Sequence, residues 1–152
     1  MNNEKLYAKC DVCGNDVLID SFGNGEKCNV CGWRQSEESY EHPNIAGIRN
    51  IPTLNNAIKQ FKAGNSAVLA NFEDFVSALE NYGELEFTYS NIRYGVLFDD
   101  DSKKIILLNI TNNDKQFFSD ISDFADNASV DGKSLKAIWS KVTNTDFLQD
   151  TK

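Results

Sequence analysis

The chain has 152 residues and a formal net charge of −8, with 41% hydrophobic and 25% charged residues, enough apolar material for one ordinary domain or two small ones. Its longest aliphatic run, IILL, falls far short of the ~20 residues a spanning helix needs, and the start MNNEKLYAKC lacks the apolar core of a signal peptide. Membrane and secretory classes are therefore not expected; the expected location is the cytoplasm, where four cysteines favour a metal over disulfides.

Charge is unevenly placed. Residues 1–66 carry seven Lys/Arg against eight Asp/Glu, a net −1, whereas residues 67–152 carry eight against fifteen, a net −7. This shift marks two expected domains, 1–66 and 67–152, and neither offers the cationic footprint of a phosphate binder.

The first element is the pattern Cys10-x2-Cys13-x14-Cys28-x2-Cys31. Each Cys-x-x-Cys pair can bend into a knuckle that aims two sulfurs at one point. Gly14 and Gly32 follow the knuckles and let the chain turn sharply. Two knuckles supply a thiolate tetrahedron, which suits Zn2+ with its lack of directional preference. Between them, Val17 and Ile19 alternate and Gly23-Asn24-Gly25 offers a hairpin turn, so the expectation is a zinc ribbon holding one structural Zn2+. A redox pair would place its Cys-x-x-Cys at a helix N-terminus in a βαβ setting, which is missing here. A catalytic zinc would keep an open position; four cysteines close the shell and leave His42 no vacancy. So small a unit also needs a staple, because its own core seldom suffices. Trp33, beside the second knuckle, is expected in the ribbon core, with a contact surface as the other reading.

YEHPNIAGIRNIP reads as an irregular loop. A short helix follows, with Thr53 as N-cap, Leu54, Ala57, Ile58 and Phe61 on one face, and Gly64 as its stop. GNSA reads as a linker. In the second domain Asn71 caps a helix that buries Phe72, Phe75, Val76 and Leu79. ELEFTY and IRYGVLF alternate around Ser90-Asn91 and form a hairpin, which places Tyr89 and Tyr94 opposite each other. KIILLNIT is a third strand. Two short helices burying Ile121, Phe124, Ala125 and Ala128, then Leu135, Ile138, Trp139 and Val142, close the chain. The expected class is α+β: a ribbon, then a three-stranded antiparallel sheet with helices on one face, in the order α-β-β-β-α-α. Period two leaves Glu84, Glu86, Arg93, Leu97 and either Ile105 with Leu107 or Ile106 with Leu108 on the other face.

Taken together, CDVCGNDVL, GEKCNVCGWRQSEES and NIAGIRNIPTLNNAIKQF resemble the bacterial cysteine-rich CPCC domain family, a resemblance that covers roughly residues 8–63. The resemblance implies metal binding by Cys10, Cys13, Cys28 and Cys31, and no particular activity. The sequence departs from the family pattern at Asp11, where the family has proline, and at Val12, where its additional cysteine would stand. LENYGELEFTYSNIRYGV and ASVDGKSLKAIW resemble short uncharacterised proteins of Gram-positive bacteria. Proteins of that kind suggest, by association alone, an inhibitor or immunity role.

Other candidate groups read as structural. Asp99, Asp100 and Asp101 occupy a turn without the Gly-centred loop of a calcium site. Asp120, Asp123 and Asp126 lie beside an apolar stripe and lack the buried partner of a catalytic carboxylate pair. Ser134 has no histidine near it in sequence and reads as a helix cap. Tyr89 and Tyr94 could stack bases, but Glu84 and Glu86 beside them would repel phosphate. No catalytic constellation emerges. The expectation is a non-enzymatic zinc-binding protein that works by binding another protein, an inhibitor or immunity protein of a phage, mobile element or toxin system. The alternative is a nucleic-acid-binding zinc ribbon acting as a regulator, disfavoured because only Lys27, Arg34 and Arg49 cluster near the metal.

Overall fold

The structure is a computed structural model that describes residues 6–21, 23–99 and 101–148. The chain divides into two compact units, Met1–Leu69 and Ala70–Lys152. Both mix helices with antiparallel strands, and among the described residues no helix is long and apolar enough to cross a membrane.

In the first unit β1 (Leu6–Lys9) pairs antiparallel with β2 (Asp16–Ile19). This changes the expected hairpin: the partner of β2 precedes the first knuckle, and among the described residues an isolated Ile19–Gly25 bridge is what spans the Gly23-Asn24-Gly25 turn. Next come α1 (Glu37–Glu41) and α2 (Leu54–Lys62). α1 is not among the expected elements, and three of its five residues precede the loop expected from Tyr40. Its signal was Ser36, whose side chain accepts from the Ser39 amide, followed by Glu37 and Glu38 in the first turn, where acids complement the exposed amides. Thr53 caps α2 by accepting from Asn56 N–H at 3.1 Å. Its Leu54 and Ala57 are buried, with Ile58 and Phe61 packed beside them. The segment expected as a linker is tied down. Ala67 is buried in this unit's core, and the Gln60 side-chain amide donates to the carbonyls of Ser66, Ala67 and Leu69.

The second unit begins with α3 (Phe72–Tyr82), capped by Asn71. There follow β3 (Leu85–Tyr89), β4 (Ile92–Phe98), β5 (Ile105–Asn109) and β6 (Lys115–Phe118). After α4 (Ile121–Asn127) come the small β7 (Ser129–Val130) and β8 (Lys133–Ser134), the one-turn α5 (Leu135–Ile138) running into a 3-10 turn (Trp139–Lys141), and β9 (Thr143–Phe147). The sheet has five strands in the order β6-β5-β4-β3-β9, not three. The two extra strands lie at the edges, where backbone pairing needs little apolar content. β9, TNTDF, is almost wholly polar, and KQFF in β6 buries only Phe118.

Leu85, Phe87, Tyr89, Tyr94, Val96, Ile105 and Leu107 are buried on the helix-covered face. Of the two alternatives for β5, Ile106 and Leu108 therefore take the other face. Tyr89 and Tyr94 share the inner face but are not directly opposite: Tyr89 pairs with Ile92, and Phe87 with Tyr94. Ser134 stands at the N-terminus of α5 without a side-chain capping bond, so its expected capping role is not fulfilled.

Candidate metal centre

The two knuckles are built alike. The amide of Cys10 donates to Asn15 O at 2.7 Å and that of Gly14 to Cys10 O at 2.9 Å. Likewise Cys28 N–H donates to Trp33 O and Gly32 N–H to Cys28 O, both at 2.9 Å. Gly14 and Gly32 have φ of +80° and +82°, a conformation side-chain-bearing residues rarely adopt. Each glycine thus lets its knuckle close directly behind the second sulfur.

The result is convergence. All four Sγ atoms lie within 4.8 Å of one another, with Cys10–Cys31 and Cys13–Cys28 each 3.5 Å apart. A tetrahedral ion with sulfur at ~2.3 Å requires sulfur–sulfur edges of about 3.8 Å, so the four thiols fit a Zn2+-sized ion with small adjustments. Cys10 and Cys28 are buried, and Cys13 and Cys31 half-buried. Exposed His42 lies outside the group, as does every carboxylate among the described residues.

Electrostatics around the sulfurs is mixed. Burial pushes the Cys10 and Cys31 thiols up. Burial also opposes ionisation of Cys28, but the amides of Cys31 and Val30 and the neighbouring thiols outweigh it and bring Cys28 down to about 7. The Val30 N–H lies 3.4 Å from Cys28 Sγ. Around the sulfurs pack Val12, Val17, Trp33, Leu54, Ala57 and Ala67. Trp33 is 1% exposed, which decides for the core over a contact surface.

Two side-chain amides join the knuckles to the rest of the unit, and spacing gave no hint of them. Gln35 accepts from Asp11 N–H at 3.1 Å and donates to Asp11 Oδ2 at 2.7 Å, linking a residue inside the first knuckle to the segment leaving the second. A proline at position 11 would have no N–H to give, so this contact depends on the Asp11 amide. Burial raises the Asp11 carboxyl, with the Gln35 bond acting against that shift. Asn50, buried, pairs in the same way with the backbone N–H and C=O of Arg34, at 2.9 and 2.8 Å. Replacing Gln35 with alanine removes both contacts to Asp11. The expected loss is about 1–3 kcal/mol in the first unit, seen as faster chelator-driven release of metal from a chain loaded with Zn2+, with the second unit's melting unchanged.

Asp99, Asp120 and Asp123 make local turn and cap bonds. Asp99 accepts from Asp101 N–H and Ser102 Oγ within its turn, and Asp100 lies outside the described residues. Asp120 caps α4 through Asp123 N–H, and Asp123 accepts from Ser119 and Asn127. Asp126 is exposed.

The family model described as Cysteine-rich CPCC matches residues 8–79. The match contains all four cysteines and extends through α2 and most of α3. No curated protein and no solved structure matches the chain. The likeness of the second unit to short Gram-positive proteins thus finds no counterpart beyond residue 79.

Proposed function

We propose that the chain is a non-enzymatic protein in which Cys10, Cys13, Cys28 and Cys31 hold one structural Zn2+, and that it works by binding another protein as an inhibitor or immunity-type factor of a phage, mobile element or toxin system. The observation that carries the reading is the four-sulfur cluster without a histidine or carboxylate in it. A tetrahedral ion held by four protein sulfurs keeps no position for water or substrate, so its contribution is to fix the fold. The family match over residues 8–79 supports the same site.

Acidity supports a protein partner with a basic surface, since complementary fields speed encounter and reject like-charged competitors. The nucleic-acid alternative depends on Lys27, Arg34 and Arg49. The Arg49 guanidinium donates to Gly25 O at 2.9 Å and that of Arg34 to Arg49 O at 3.5 Å, so two of these cations help hold their own unit together. Phosphate binding needs several clustered cations to release counterions. The test pairs two measurements on the zinc-loaded chain. Titration against duplex and single-stranded nucleic acid at about 150 mM salt is expected to show no sub-micromolar binding. Affinity capture from the source cells is expected to return a stoichiometric protein partner. Tight nucleic-acid binding that weakens steeply with salt would replace this reading with the alternative.

A further inference from the structure

The four sulfurs of the first unit are not equivalent, and their differences point to a reactivity that goes with the metal reading above and rests on it. Cys10 and Cys28 are buried, whereas Cys13 and Cys31 are half-buried. Each buried sulfur lies 3.5 Å from a half-buried one of the other knuckle, Cys10 from Cys31 and Cys28 from Cys13. Both pairs therefore set a sulfur within reach of a small oxidant beside one shielded from it, the arrangement of a reactive thiol with its resolving partner.

The glycines behind the knuckles distinguish the two half-buried sulfurs. Gly14, next to Cys13, is exposed, and a Cβ built on it would meet nothing within 4 Å. Gly32, next to Cys31, is half-buried, and a Cβ there would meet Lys27 Cε at 3.5 Å and both Val68 methyl carbons at 3.6 Å. The approach beside Cys13 is open, and that beside Cys31 is lined by two side chains. Cys13 is thus the sulfur first met from solvent, with Cys28 directly behind it.

We propose that Cys13 is a hydroperoxide-sensitive thiol resolved by Cys28, and that its oxidation opens the metal centre. The Cys13 sulfur attacks one oxygen of the peroxide, the O–O bond breaks, and Cys13 becomes a sulfenic acid as an alcohol or water leaves. The Cys28 sulfur then attacks Cys13 Sγ. The S–O bond breaks, and the hydroxyl departs as water with the Cys28 thiol proton. In sum, two thiols and one hydroperoxide give a disulfide, one water and one alcohol (a second water from hydrogen peroxide). The thiols lose two electrons and the peroxide gains them. Joining the pair at about 2.05 Å moves each sulfur by about 0.7 Å, a shift the folded knuckles can absorb. Metal ligation needs thiolates, so this bond removes two of the four donors. The Cys10–Cys31 pair is then free to close with a second peroxide. Oxidant is consumed in proportion to thiol, which makes the centre a switch and not a redox catalyst.

The test uses the full reduced chain loaded with Zn2+, its metal content measured first, and hydrogen peroxide as the probe. Peroxide is expected to release the ion in step with the loss of four free thiols, and dithiothreitol with added Zn2+ to reverse both. Dimedone, which traps sulfenic acids, should label Cys13 when added with the peroxide. Peptide mapping of chain oxidised without the trap should return the Cys13–Cys28 crosslink first and Cys10–Cys31 second. Label on Cys10, Cys28 or Cys31 ahead of Cys13, or a first crosslink inside a knuckle, would overturn the assignment. So would thiols that persist under peroxide sufficient to oxidise free cysteine. A chain without metal before peroxide defeats the metal reading, and the map of its thiols then decides the Cys13–Cys28 pairing on its own.

Discussion

Replacing Cys28 with serine is expected to abolish zinc binding and unfold the first unit while the second stays folded. Cys28 is 4% exposed, its sulfur lies 3.5 Å from that of Cys13, and it receives the Val30 amide. A hydroxyl there is a poor zinc ligand and leaves three sulfurs around an incomplete shell. Structural zinc contributes about 10–16 kcal/mol at neutral pH, as much as the whole stability of an ordinary domain at about 5–15 kcal/mol. Among the described residues the apolar cluster around the site holds Val12, Val17, Trp33, Leu54, Ala57 and Ala67 besides the cysteines and their half-buried neighbours, too little to replace that contribution. An amide correlation spectrum checks the result. Signals from the first unit should collapse to unfolded positions, and those from Ala70 onward should keep their dispersion. Loss of both sets together would show that the units do not fold independently.

The reciprocal experiment is Phe87→Ala. Phe87 is fully buried, stacks on Tyr94 at 5.3 Å, and meets Phe75 edge-on at 5.8 Å and Trp139 at 5.5 Å. Truncating a buried phenylalanine costs about 3–5 kcal/mol in transfer and cavity terms. For a unit of this size that lowers the melting temperature by on the order of 15 °C or more. Zinc content and the first unit's spectrum should not change. Calorimetry with metal analysis before and after the second unit's transition makes the check. A Phe87→Ala protein that loses its zinc at that transition would place the two units in a single cooperative block.

The cysteine cluster was legible because its geometry is nearly local. Cys-x-x-Cys followed by glycine fixes a knuckle within five residues, and Gly14 and Gly32 adopt the positive φ that this reading required. Helix starts at Thr53 and Asn71 were legible for the same reason, since a cap bonds only three residues ahead. Alternation in β3 and β4 revealed the inner face. The edge strands were not legible: β9 joins β3 from the far end of the unit through backbone bonds, and its polar side chains leave no hydrophobic period to read. Gln35 and Asn50 were hidden similarly. Each reaches a backbone group far away in sequence, Gln35 to Asp11 and Asn50 to Arg34, and nothing in local spacing signals such a bond.

The central claim is that four cysteines hold one structural zinc ion. Elemental analysis of the chain purified under reducing conditions without chelators tests it most directly. One zinc per chain, released in step with four newly titratable thiols when the first unit is unfolded, is the result predicted here. Protein that is fully folded, fully reduced and free of stoichiometric zinc or another thiolate-bound metal would contradict it.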